Sequence, residues 1–341
     1  MLNTMIPKVQ LAPDYAVSQL IAGGWQLQNR GDDAIEDLLQ LSRLGITAYE
    51  TSDTYSNGQS LLGKFLSKAR QSLPSEKFLG IQIHTRYTAP TAGSAPSKAT
   101  IVASVDRSLR ELNIPRLDLL QLQWWNLNVP GFEETLSLIG DLRKAGKIHH
   151  IGTTNFGIQL LHRAIATNVP VITNQVQYSI LDRRADNQLS NYAKRCGINL
   201  LTYGALAGGF LARKWVSAHD PADHPMHRTQ FSPEYRSIID IAGGWNAFQN
   251  LLRVLSAIAS KHGCSLSAIA LRWVLQKGPG SGVLIGASSP KRLMDLLPAF
   301  EINLSPTDVA TIQKTVQHSN EDVGILERDV NSSLFAAVHS N

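Results

Sequence analysis

The chain has 341 residues, 43% of them hydrophobic and 17% charged, and its net charge of +5 is spread along its length. This composition excludes a disordered chain and supplies the apolar material of a full core, while the lack of any block of like charge argues against a nucleic-acid-binding arm. Two cysteines, Cys196 and Cys264, are too few for a disulfide scaffold and predict a reducing, cytoplasmic setting.

Residues 1–13 lack a basic-then-apolar leader pattern. No apolar run reaches the roughly 20 residues of a membrane helix, so no membrane partner is expected. The nearest, 198–212, is interrupted by Gly204, Gly208 and Gly209. From there the chain alternates. Strand-like 19–22 precedes a helical pattern at 34–44, 48–52 precedes 60–71, and 78–84 precedes 98–112. Next come 117–123 before 132–144, 150–153 before 159–165, and 172–177 before 185–195. The seventh run, 199–203, is followed at a distance by a helix at 245–261, and the eighth, 282–286, by 290–297. Asn113 and Pro115 close the third helix by excluding proline from its interior, and Gly45, Gly146 and Gly197 stand where helices should stop.

Strict alternation of strand and helix predicts a parallel sheet with helices outside. Eight units favour a closed (β/α)8 TIM barrel over an open sheet. No Gly-x-Gly-x-x-Gly turn follows the first strand, and Gly23-Gly24-Trp25 does not replace it. One domain is expected over residues 1–341, with a barrel core at about 19–316 and a tail at 317–341. Segment 207–244 reads as an ordered loop over the active face. Residues 265–276 form an additional helix, and Ser305-Pro306-Thr307-Asp308 caps a last one.

Chemistry on such a barrel gathers just past the C-terminal ends of the strands. The second strand ends in Glu50-Thr51-Ser52-Asp53-Thr54-Tyr55-Ser56-Asn57-Gly58, an acid five residues before a tyrosine, ahead of a helix holding Leu62-Gly63. The third ends in His84-Thr85-Arg86, and the fourth in Gln121-Leu122-Gln123-Trp124-Trp125-Asn126. Gly146-Lys147-Ile148 and Ile151-Gly152-Thr153-Thr154-Asn155-Phe156 frame the fifth, and Asn174-Gln175 lies in the sixth. Tyr203-Gly204-Ala205-Leu206 with Gly208-Gly209 follows the seventh, and Gly286-Ala287-Ser288-Ser289-Pro290-Lys291-Arg292 the eighth. Taken in this order over about 19–316, these segments resemble the aldo-keto reductase superfamily.

The resemblance implies an NADP-dependent oxidoreductase acting on a small-molecule substrate. In the family an aspartate, a tyrosine, a lysine and a histidine form a catalytic tetrad; the matching positions here hold Glu50, Tyr55, Arg86 and Gln123. Tyr55 is then the general acid. Thr154, Asn155 and Gln175 fall at the nicotinamide carboxamide, Tyr203 at the ring-stacking position, and Arg292 at the adenosine phosphate, where a guanidinium suits a bidentate contact. Gly24, Trp25, Leu206 and Ser288 complete the implied cofactor positions. Leu296, with Asp295 beside it, departs from an asparagine common at the adenine end.

Glu50 keeps a charge on a longer side chain, Arg86 keeps a cation that does not deprotonate, and Gln123 can donate a hydrogen bond but cannot titrate. Three readings follow. In the first, Tyr55 protonates a C=O, C=N or conjugated C=C while the cofactor reduces it. In the second, Tyr55, Glu50 and Arg86 do acid/base work in an isomerase, cyclase or dehydratase. In the third, the barrel is a non-catalytic nucleotide sensor. The first is preferred because the carboxamide and stacking positions keep a hydroxyl, two amides and an aromatic face. The blander reading makes Glu50 and Arg86 an inert buried ion pair.

Trp25, Trp124 and Trp125 are expected at an aromatic substrate pocket, with Trp25 and one of the tandem pair facing it. His219, Asp220, Asp223, His224 and His227 lack helical metal-ligand spacing and read as a solvated loop, so no metal site is expected there. Phe231, Tyr235 and Arg236 are substrate or surface residues. His149-His150 reads as structural, and Cys196 as buried and inert.

Overall fold

The computed structural model describes residues 5–220, 232–286 and 289–316. It opens with an antiparallel hairpin that the strand count above misses, β1 (Lys8–Ala12) and β2 (Tyr15–Ser18). Leu11, Tyr15 and Val17 insert beneath the barrel against Ile21, Ala48, Leu119, Leu201 and Leu284. The signal was present: apolar residues alternate on both sides of Pro13-Asp14, a turn pair.

Eight parallel strands then close a barrel. They are β3 (Leu20–Gly23), β4 (Ala48–Glu50), β5 (Gln82–Thr88), β6 (Leu117–Gln123), β7 (Ile148–Thr154), β8 (Val171–Gln177), β9 (Asn199–Tyr203) and β10 (Gly282–Gly286), which pairs back on β3. The helices between them begin with α1 (Ala34–Arg43), α2 (Gly58–Ser72), the short α3 (Ser75–Leu79) and α4 (Lys98–Leu112). Next come α5 (Phe132–Lys144), α6 (Ile158–Ala166), α7 (Gln188–Arg195) and α8 (Ser232–Ile241). The last are α9 (Gly244–His262), α10 (Leu266–Lys277), α11 (Pro290–Leu296) and α12 (Pro306–Lys314), whose capping box joins Ser305 and Asp308. This is the expected (β/α)8 TIM barrel. Among the described residues no single helix is long and apolar enough to cross a membrane.

Period-two alternation sorts each strand's side chains. In β5, Thr85 turns out to the helices and accepts from Gln59 at 2.7 Å, while His84 turns in and meets the Tyr15 hydroxyl of the hairpin at 2.9 Å. Register levels the strand ends. Gly23 lies beside Glu50, Thr88 beside Gln123, Gln123 beside Thr154, Thr154 beside Gln175, and Gln177 beside Tyr203. The implied site positions therefore share one rim.

Three expectations need correction. The third strand is not 78–84 but Gln82–Thr88, because Pro74 starts a helical turn over Ser75–Leu79 and because pairing with β6 continues to Thr88. Within 207–244 the described residues form two 3-10 turns and α8, not a loop alone. Tyr235 of α8 is buried against Gly208, where a Cβ would come within 2.3 Å of its ring, so glycine and aromatic fit together. Cys196 is exposed rather than buried, because it caps α7 at the surface.

Candidate active site

The four positions implied for the tetrad hang from three adjacent strand ends. Glu50 is the last residue of β4, Arg86 lies in β5, Gln123 ends β6, and Tyr55 sits in the turn from β4 into α2. That turn is tied down by Asp53, whose backbone N–H donates to the Arg86 carbonyl at 3.2 Å. The Asp53 carboxylate accepts from the Thr88 N–H at 3.2 Å and from the Ser104 hydroxyl at 3.3 Å. Asp53 escaped the sequence analysis as a positioning residue, although it stands between the two singled-out residues.

Arg86 is the centre. Its Nη2 donates to the Tyr55 hydroxyl and lies 3.0 Å from Glu50 Oε1. Its Nη1 donates to Gln123 Oε1 at 3.3 Å, and the guanidinium carbon stands 5.0 Å from the centre of the Tyr55 ring. The other Glu50 oxygen accepts from the Gly24 N–H at 3.3 Å. A Cβ on Gly24 would lie 2.3 Å from the Glu50 carbonyl oxygen, so the contact requires glycine. The longer acid and the longer base do pair, and both are largely buried, Glu50 at 3% exposure.

Electrostatics follow from this packing. Burial raises the Glu50 carboxyl, and the Arg86 charge opposes the rise. Burial likewise pushes the Tyr55 phenol well above its ordinary value, with Arg86 pulling the other way. For Arg86 burial acts against the charge, but Tyr55 and Glu50 outweigh it and hold the guanidinium protonated. Arginine only donates, so each of its partners must turn an oxygen toward it. The Tyr55 hydrogen then points elsewhere, and so does the Gln123 NH2 group.

The positions that the family resemblance implies for the nicotinamide form a second cluster. Asn155 has a left-handed backbone, φ 58°, fixed by its N–H donating to the Gln175 carbonyl at 2.8 Å. Its side-chain oxygen accepts from the Tyr203 hydroxyl at 3.1 Å. Gln175 Oε1 accepts from Gln121 at 2.8 Å. Both amides thus commit their oxygens and keep their NH2 groups as donors. The Thr154 hydroxyl is buried with no hydrogen-bond partner. Donors and an unmet hydroxyl on one rim fit a carboxamide. Gln121 was overlooked, yet its spacing of two from Gln123 puts both on the inner face of β6.

Trp25 opens the 3-10 turn after β3 and meets the Tyr55 ring edge-on at 5.1 Å. Trp124 is 4% exposed and packs edge-on against Phe132, which makes it a core residue; Trp125 is half-buried. Leu206 is half-buried after β9. Arg292 is exposed on α11, whose N-cap Ser289 accepts from the Arg292 N–H at 3.4 Å. Ser288, Asp223, His224, His227 and Phe231 lie outside the described residues. Asp220 and Arg236 pair with each other.

A model of the aldo/keto reductase family matches residues 19–317. The chain is 26% identical to "Probable aldo-keto reductase 1" of Glycine max, over 93% of this chain and 90% of that protein. It is 24% identical to the NADH-specific methylglyoxal reductase of Escherichia coli K12, over 89% and 96%. Among solved structures, a glycerol dehydrogenase from Gluconobacter oxydans superposes with a TM-score of 0.74 at 21% identity, covering 92% of this chain and 95% of that one.

Proposed function

Because the chain belongs to the aldo/keto reductase family, we propose that it is an NADPH-dependent reductase of a small carbonyl, imine or conjugated alkene, with Tyr55 as general acid. The observation that carries this reading is the Arg86 hub. One guanidinium faces Glu50, Tyr55 and Gln123 together, which an inert two-residue ion pair does not require. A reduced nicotinamide nucleotide, when bound, supplies the hydride. Thr154, Asn155 and Gln175 are the residues to hold its carboxamide, Tyr203 to stack on its ring, and Gly24, Trp25 and Leu206 to line its path; Ser288 joins them on the family resemblance alone.

For a carbonyl substrate, the Gln123 NH2 group hydrogen-bonds the oxygen and orients it. Tyr55 gives its hydroxyl proton to that oxygen as negative charge develops there. The phenolate left behind keeps its hydrogen bond from Arg86 and recovers a proton from solvent. Glu50 balances the guanidinium before and after. Because Gln123 does not titrate, the site lacks the second proton carrier that a histidine would provide.

Arg292, on α11 after β10, is assigned the 2′-phosphate, which separates NADPH from NADH. The NADH specificity named for the Escherichia coli relative makes this assignment worth testing directly. Titration of both nucleotides, followed by tryptophan fluorescence, should show NADPH binding at least tenfold more tightly. Arg292→Ala should remove most of that margin and leave NADH binding within twofold. Equal losses for the two nucleotides would contradict the phosphate role. No binding of either would turn the search to cofactor-free acid/base chemistry at the same residues.

A further inference from the structure

At the end of the barrel opposite Tyr55, three side chains of metal-ligating type converge. Asp14 stands in the β1–β2 turn, while His149 and His150 begin β7. His149 Nε2 lies 2.9 Å from Asp14 Oδ2, and His150 Nε2 lies 3.3 Å from Asp14 Oδ1. The two imidazole rings are 4.0 Å apart, centre to centre. We propose that Asp14, His149 and His150 bind one divalent transition-metal ion of the zinc or nickel class, and that the ion fastens the hairpin to the barrel.

Two independent observations support this. The first is the donor set. Two imidazole nitrogens and a carboxylate oxygen are the ligands that zinc and nickel accept, and magnesium, which prefers oxygen alone, does not. The three ligand atoms lie within 4.8 Å of one another. Bonds of about 2.1 Å in a tetrahedral site place ligands about 3.4 Å apart. Asp14 is 61% exposed, so its carboxylate is free to swing the remaining distance. The fourth position faces solvent and takes water.

The second is His150 itself. It is 5% exposed, and its Nε2 has no hydrogen bond of acceptable geometry even though Asp14 is near. A buried nitrogen without a hydrogen bond costs stability, and a cation relieves that cost. Tyr15 supplies the supporting layer: its ring stands 5.9 Å from that of His149 and 4.8 Å from that of His150, and its hydroxyl meets His84. Arg143 and Arg116 add positive charge nearby, with Asp118 as a further negative group. These charges temper the affinity without occupying a ligand.

The test is calorimetric titration of the untagged, chelator-stripped full chain with zinc chloride, paired with thermal melts with and without zinc. The expected result is one zinc per chain and a rise in melting temperature. Asp14→Asn and His149→Gln should each weaken binding at least tenfold and abolish the rise. Both side chains are accessible, so these variants fold; the zinc-free melt checks this. A Cys196→Ser/Cys264→Ser variant should bind as the parent does. Absence of binding by the parent, or unchanged affinity in Asp14→Asn, overturns the site.

Discussion

Tyr55, Glu50, Arg86 and Gln123 differ in chemistry yet act as one object, because a guanidinium offers several donors in a fixed plane where an ammonium offers one compact charge. Substituting lysine by arginine at such a centre lengthens the reach, and Glu50 and Gln123 both meet it. Tyr55→Phe isolates the acid. It should cut turnover by about 100- to 10,000-fold, the range of general acid catalysis, while leaving NADPH affinity within twofold. It also strips Arg86 of an acceptor, so stability should fall by about 1–2 kcal/mol. Steady-state kinetics and nucleotide titration on the same preparation check both; retained turnover would remove Tyr55 from its role. These residue types were legible in the sequence because they fall at strand ends. Their contacts were not, since side-chain reach across three strands depends on barrel curvature.

The elements obey their own rules. Helix α4 was placed to the residue, since Ser97 accepts from the Thr100 N–H at its start and Asn113 adopts a left-handed conformation at its end. Strand β5 was misplaced because Phe78-Leu79 looks strand-like, while Pro74 and Leu79, 78% exposed, belong to a surface turn of helix. Hairpin β1–β2 was missed because the count began at the barrel. Helix α2 packs on α4 at a glycine, Gly63. A Cβ on Gly63 would lie 2.1 Å from the Glu111 carbonyl oxygen. Gly63→Ala should therefore force these helices apart and cost ~1–3 kcal/mol, seen as a lower urea midpoint. An unchanged midpoint would mean that the helices slide without penalty.

The barrel as a whole carries a buried histidine that reports on acid stability. His84 is fully buried between the hairpin and the strands, and burial lowers its pKa to about 3 from an ordinary 6.5. Below pH 6.5 the unfolded chain takes up a proton that the folded chain refuses. Stability contributed by the neutral ring is therefore complete above 6.5 and declines as pH falls toward 3, by about 1.4 kcal/mol per unit. His84→Gln keeps a partner for the Tyr15 hydroxyl but does not titrate. Between pH 6.5 and pH 5 the parent should lose about 1.5 kcal/mol more than this variant, measured by denaturant unfolding at each pH. Parallel profiles would show that the histidine is protonated without cost.

The alternation of eight barrel strands with helices, the closed barrel and the family were readable along the chain, because period-two and helical patterns and strand-end motifs are local in sequence. The Glu50–Arg86 pairing, the burial of Trp124, the exposure of Cys196 and the meeting of Asp14 with His149 and His150 were decided only in three dimensions. Each depends on residues far apart in the chain or on which face of an element turns inward. Barrel closure settles those relations, because it sets register, tilt and side-chain direction for all eight strands at once.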